Sequence, residues 1–304
     1  MAATGTINYR PHHQIDKKKW DACIDSASNG LIYAYSFYLD QMAKQWDALV
    51  LGDYEIVMPL TCNRKYGFHY LYQPPFVACG GIFGQNINPE TEKKFIATIP
   101  AKFKLIEVSL NYKNKLSADY SFMRNNHVLS LNHDYDSMYK DYHENIKRNI
   151  KKSQQAGCYH KTNIAIDEII ALNKEQLKGI TKISDKDYSN FRELYNLLYS
   201  RNQAITYGVY NKTDELMSSS VFFFSHKRAY YILAGNNSAG KTIGASHYLI
   251  DRFIYDNSTK DLLLDFEGSD IPSLALFYSG FGASIETYPA IKINRLPWPI
   301  KLLK

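Results

Sequence analysis

Three strand-like runs stand close together in the second half of this chain: "AITYGVY", "LMSSSVFFFS" and "AYYILAG". They are rich in β-branched and aromatic residues and separated by turns of a few residues. Connections that short join antiparallel neighbours, because a parallel pair needs a crossover of a dozen residues or more. After the third run come a glycine loop, "NNSAGKT", and a helical pattern, "IGASHYLIDRFIYDN", with Leu249, Ile250, Phe253 and Ile254 at helical spacing. Within this stretch Gly235, Gly240, Lys241 and Thr242 spell G-x-x-x-x-G-K-T, the phosphate loop of nucleotide hydrolases. The later "LLLDFE" even offers an apolar strand ending in an acidic residue of the kind that holds magnesium in such enzymes. The antiparallel meander argues against that class, which is built on parallel strands and needs several further strand-helix units. Only 62 residues follow Thr242.

The first half follows the same order. Helical patterns around Trp20 to Ser28 and Tyr35 to Gln45 precede strand-like "WDALVLG", "YEIVMPLTCN" and "FHYLYQPPF". A glycine loop "ACGGIFG", a helix "PETEKKFIATI" and a strand "FKLIEVSL" complete the set. In the second half a helix over "KDYSNFRELYNLLYSRN" leads into the three runs, the loop, the helix and the strand "DLLLDFEG". Helix, three strands, glycine loop, helix, strand, twice over, predicts an α/β chain of two tandem mixed-sheet units with flanking helices, residues 1–135 and 136–304. At 304 residues with 45% hydrophobic side chains, the chain can fill such cores.

Between the halves, "YDSMYKDYHENIKRNIKKSQQAGC" projects Tyr139, Tyr142, Ile146 and Ile150 onto one arc. Lys140, Lys147, Arg148, Lys151 and Lys152 fall on the opposite side, and Gly157 can close the helix in the left-handed conformation. Such a stripe is either a solvated face or a contact from Lys147, Arg148, Lys151 and Lys152 to the phosphates of an RNA or an acidic ligand. The net charge of +6 suits anionic ligands but falls short of a dedicated nucleic-acid binder. Cys23, Cys62, Cys79 and Cys158 are widely spaced, and the nine histidines show no metal-ligand spacing, so no metal is expected. No signal-peptide stretch and no run of about 18 apolar residues occurs, which predicts a cytoplasmic chain without a membrane span.

A three-strand meander followed by a glycine loop, helix and strand resembles the acyl-CoA N-acyltransferase fold of the GNAT superfamily. There the loop opens a helix with a pattern close to [Q/R]-x-x-G-x-[G/A], and its amides bind the coenzyme A pyrophosphate; here "KTIGAS" gives Lys241, Gly244 and Ser246 at that spacing. The resemblance implies acyl-CoA as donor, bound by Leu233, Gly240, Lys241, Thr242, Gly244 and Ala245, consistent with the affinity of a helix N-terminus for phosphate. The segment "DFEGSDIPSLALFYSGFGA" further resembles the C-terminal signature of Fem-type aminoacyltransferases, D-F-x-G, a short helix and G-F-G. Those proteins also carry two GNAT-like halves with a basic helix before the second. One departure stands out: the Fem pattern F-K-K-G-F-G reads Phe277, Tyr278, Ser279, Gly280, Phe281, Gly282 here, without its lysine.

These resemblances imply a transferase moving an acyl group from acyl-CoA to the amine of a small molecule or amino sugar. The alternatives are a Fem-type enzyme using aminoacyl-tRNA on a peptidoglycan precursor, and a GNAT-fold binding protein without catalysis. In the enzymatic readings Tyr278 is the acid for the leaving group and Glu267 the general base. Burial can raise the proton affinity of a carboxylate at a strand end. Asp265 shares that side of the strand, with a structural role suggested by D-F-x-G. The first half, whose loop lacks a lysine or arginine, is expected to serve as a substrate-side wall.

Overall fold

The computed structural model describes residues 5–116, 118–268, 270–298 and 301. It divides into two compact units, residues 1–124 with 287–304, and residues 125–286.

Unit 1 opens with strand β1 (Ile7–Arg10) and helices α1 (Lys17–Ser26) and α2 (Ser36–Met42). Asp16 caps α1 by accepting from the amides of Lys18 and Lys19, and the buried Trp20 donates its indole N–H to the Ala34 carbonyl at 2.7 Å. The meander follows as β2 (Gln45–Leu51), β3 (Ile56–Lys65) and β4 (Phe68–Leu71). The short β5 (Phe83–Gly84) lies in the glycine loop, ahead of α3 (Pro89–Thr98) and β6 (Phe103–Ser109). Strands β1 to β4 pair antiparallel in order, β5 pairs with β3, and β4 pairs parallel with β6 across the α3 crossover. The loop is a structural joint: Gly81 lies at φ +118, where a Cβ would stand 2.5 Å from the Asn111 amide, and the buried Asn29 and Asn114 both donate to the Ile82 carbonyl.

Unit 2 contains β7 (Ser121–Ser130) from Asn125 onward, α4 (Tyr135–Asp141), α5 (Glu144–Gln155), β8 (Tyr159–Thr162), α6 (Ile166–Gln176) and α7 (Asp185–Ser200). A reciprocal capping box between Ser184 and Asp187 starts α7, and Gly157, at φ +75, ends α5 as its sequence predicts. The meander β9 (Ala204–Tyr210), β10 (Leu216–Ser225) and β11 (Arg228–Asn236) is antiparallel throughout. After it come α8 (Ser238–Ile243), α9 (Ala245–Asn257), β12 (Leu263–Asp265) and α10 (Pro272–Ser279). β12 pairs parallel with β11 and antiparallel with β7, and β8 closes the far side on β9. Phe222, Phe253, Leu249 and Ile146 are fully buried at the centre of this unit.

The last strand, β13 (Ser284–Asn294), returns to unit 1, where Ala290–Asn294 pair antiparallel with Ser109–Leu105 of β6. Both units thus carry an antiparallel meander, a crossover helix and a parallel strand flanked by one further antiparallel strand. That last strand is out of sequence order in each: β13 in unit 1, β7 in unit 2. The sequence expectation of a cut between 135 and 136 differs from this division at both ends.

Candidate active site

The parallel pairing of β11 with β12 covers only Arg228–Tyr230 against Leu263–Asp265. Beyond it β11 runs on to Asn236, carrying an extra residue at Ile232 where the register with β10 shifts, while the other chain turns away through Phe266, Glu267 and Gly268. Bulges of this kind re-aim side chains beside binding sites.

A buried ionic cluster fixes that turn. Arg228 donates to Asp265 at 2.8 Å and to both Glu286 oxygens at 3.0 and 2.6 Å, while Asp265 also accepts from the Asn126 side chain and the Glu267 amide, each at 2.9 Å. Asn126 Oδ1 in turn accepts from the amides of His127 and Gly268. Both oxygens of Asp265 are thus engaged within the chain. The cluster holds Glu267 at φ +63 and Gly268 at φ +82, left-handed conformations that a side-chain-bearing residue adopts only when its surroundings enforce them.

Tyr278 of α10 comes to this turn. Its ring stacks on Phe266 at 4.5 Å and stands 6.0 Å from His127 and 6.5 Å from Tyr231. Burial pushes its phenol pKa up, and the carboxylate of Glu267 pushes it further in the same direction. Two residues expected to work together, Tyr278 and Glu267, therefore share one neighbourhood. Sequence reading missed Asn126, His127, Arg228 and Glu286. The alternation of "FMRNNHVLSL" could have revealed β7, but nothing local marks a carboxylate 58 residues away as the partner of Arg228.

The glycine loop departs from expectation. Residues 238–243 form helix α8, started by Asn237, whose side chain accepts from the Gly240 amide and whose carbonyl accepts from Lys241. The Gly244 amide donates to the Lys241 carbonyl, and Gly244 abuts α5 so closely that a Cβ would lie 2.8 Å from the Asn149 carbonyl oxygen. Lys152 and Ser153 of α5 donate to the carbonyls of Thr242 and Ile243 at 2.8 and 2.7 Å. Ala245 is fully buried, and Leu233 is buried in β11. The amides of Gly240, Lys241 and Gly244 are thus already bonded within the chain, and α5 lies against Gly244.

The basic segment is two helices rather than one, with the break at Tyr142–His143, where the His143 amide donates to the Gly280 carbonyl at 2.8 Å. Tyr142, Ile146 and Ile150 are buried, as the periodicity predicts. Arg148, Lys151 and Lys152 are exposed, whereas Lys147 is half-buried and tied to Glu144 and the Lys140 carbonyl. Among the described residues there is no cluster of His, Cys, Asp or Glu placed to hold a metal, and no helix long and apolar enough to cross a membrane. A separate cavity of about 270 Å³ lies in unit 1, lined by Tyr70, Tyr72, Gln73, Glu107, Phe122 and Arg124 among others.

The fold of the chain is shared with several solved structures. One is FemX, a crystal structure matched over 95% of this chain and 98% of that one, with a TM-score of 0.64 and 12% identity. L-PGS from Bacillus licheniformis (TM-score 0.54, 8% identity) and the C-terminal domain of a putative lysylphosphatidylglycerol synthetase from Agrobacterium fabrum (0.55, 9%) each match over 95% of this chain and 94% of theirs. No family model matches the chain, and no curated protein matches it in sequence.

Proposed function

We propose that this chain is an N-acyltransferase that moves an acyl group from an activated carrier to the amine of a small molecule or amino sugar. The observation that carries this reading is the convergence of a buried phenol, Tyr278, with the Glu267 carboxylate at the point where β11 and β12 part company. Acyl transfer to nitrogen needs a base to free the attacking lone pair, donors for the carbonyl oxygen as it gains charge, and an acid for the departing group. Glu267 accepts a proton from the ammonium, and main-chain N–H groups at the bulged stretch Tyr231–Leu233 stand by the carbonyl. Tyr278 protonates the leaving atom; its raised pKa keeps it in the acid form at neutral pH.

The donor of this reading is acyl-CoA, its diphosphate at the start of α9. A second reading, transfer from aminoacyl-tRNA, is favoured by the exposed Arg148, Lys151 and Lys152 on α5, which packs against Gly244. Labelled acetyl-CoA and labelled aminoacyl-tRNA, each offered with a panel of amines and amino sugars, separate the two. Tyr278→Phe should cut turnover about a hundredfold while leaving substrate binding nearly unchanged; equal turnover of the two proteins would remove Tyr278 from the chemistry.

A further inference from the structure

The geometry points to His127 as the proton-relay partner of Tyr278. It rests on the acyl-transfer reading above. His127 lies on β7 and is only 3% exposed, yet its Nδ1 is buried without a hydrogen-bond partner. Buried polar atoms in folded proteins are almost always satisfied, and an exception calls for an explanation. The ring stands 6.0 Å from that of Tyr278. Its backbone is held on both sides: the amide donates to Asn126 Oδ1 at 2.7 Å, and the carbonyl accepts from the Phe266 amide at 3.0 Å. The cluster that shapes the Asp265–Gly268 turn therefore also fixes the histidine. Burial lowers the imidazole pKa, so the ring is neutral at pH 7 and carries one N–H and one acceptor nitrogen.

A buried tyrosine that has given up its proton must recover it before the next turnover, because a phenolate there is costly in so apolar a setting. The titratable groups around Tyr278 are Tyr231, Glu267 and His127. Tyr231 is a buried phenol with its own pKa raised and cannot supply one, whereas Glu267 holds the ammonium proton once the amine has been freed. The balanced sequence is as follows. The amine nitrogen, having lost one proton to Glu267, forms the C–N bond, and the bond from carbonyl carbon to leaving atom breaks. The leaving atom takes the phenolic proton of Tyr278. The phenolate takes the N–H proton of His127, whose other nitrogen receives the ammonium proton held by Glu267, and the attacking nitrogen sheds its second proton to solvent. The ring ends in the opposite tautomer with no net charge, and Glu267 ends as the carboxylate it began as. His127 acts through Tyr278 and is a positioning and relay residue rather than a substrate contact.

Two measurements test this. In long-range 1H–15N spectra of histidine-labelled protein, which need no substrate, His127 should be neutral at pH 7. Tyr278→Phe should shift one of its ring nitrogens by several parts per million. An unchanged ring signal would overturn the relay even if acyl transfer is demonstrated. In the transfer assay, His127→Gly should lower kcat tenfold to a hundredfold at unchanged KM, and added imidazole should restore part of it. A full-rate His127→Gly, or a loss that imidazole leaves untouched in a protein of unchanged melting temperature, would also overturn it. Absence of any transfer by the wild-type chain would instead sink the acyl-transfer reading and, with it, the role given to the relay.

Discussion

His247 enters the interior of unit 2 without a partner for its charge. It lies in the first turn of α9, its ring meets Phe277 edge-on at 4.8 Å, and its Nδ1 is buried with no hydrogen bond. Burial pushes its pKa down from the ordinary 6.5 to about 4. The sign follows directly. Between those two values the unfolded chain binds a proton at this residue and the folded chain does not, so stability falls as pH drops from 6.5 toward 4 and is unaffected above 6.5. The gap is worth up to about 3 kcal/mol. In urea titrations, His247→Phe should lose less stability than the wild type between pH 7 and pH 4.5. Parallel pH curves for the two proteins would show that the histidine is not the acid-sensitive group. Side-chain identity alone could not have shown this: His247 was one of several scattered histidines, and only the fold puts aromatic rings against it.

At the scale of elements, the glycine loop is the instructive case. Its letters satisfy two phosphate-binding patterns, yet Asn237 supplies a cap that makes "SAGKTI" a helix, and Gly240 and Gly244 are glycines because backbone passes too close for a Cβ. At Gly240 that Cβ would stand 2.2 Å from the Met217 carbonyl oxygen. Gly240→Ala should accordingly destabilise unit 2 by about 1–3 kcal/mol, read in chemical denaturation, while a neutral effect would mean that the Met217 strand yields. Local pattern resolved the strands β9 and β10 and the crossover helices well, because alternation and 3.6-residue periodicity are printed in adjacent residues. It resolved poorly what depends on distant partners. β7, β8 and α6 went unforeseen, and "DLLLDFEG" shortened to Leu263–Asp265. For the candidate site, Tyr278 and Glu267 were legible through a family signature. The Arg228–Asp265–Glu286 cluster was not, since a buried ion pair has no periodicity.

For the molecule as a whole, the order of the chain and the order of the sheets disagree, and the disagreement is testable. Ile291 of β13 is fully buried in the core of unit 1 with Ile106 and Phe103, far in sequence from the other buried residues of that cluster, the nearest of which is Leu116. Ile291→Ala should lower the stability of unit 1 by about 2–5 kcal/mol. By hydrogen exchange, the amides of β4 and β6 should open first while those of residues 204–257 keep their protection. Uniform loss of protection through residues 125–286 would show that the two units unfold as one.

The late return of β13 also sets a timetable. A ribosome that has finished residue 124 must add the whole of residues 125–286 before the strand that covers β6 exists. At about 5–20 residues per second that interval is roughly 8–30 s, long compared with the time a domain of this size needs to collapse. During synthesis the later-made unit can finish first, and the earlier-made one waits with the edge of β6 uncovered. The nascent chain is thus most open to chaperones, and to pairing with a neighbour on the same message, at a strand whose sequence was read long before.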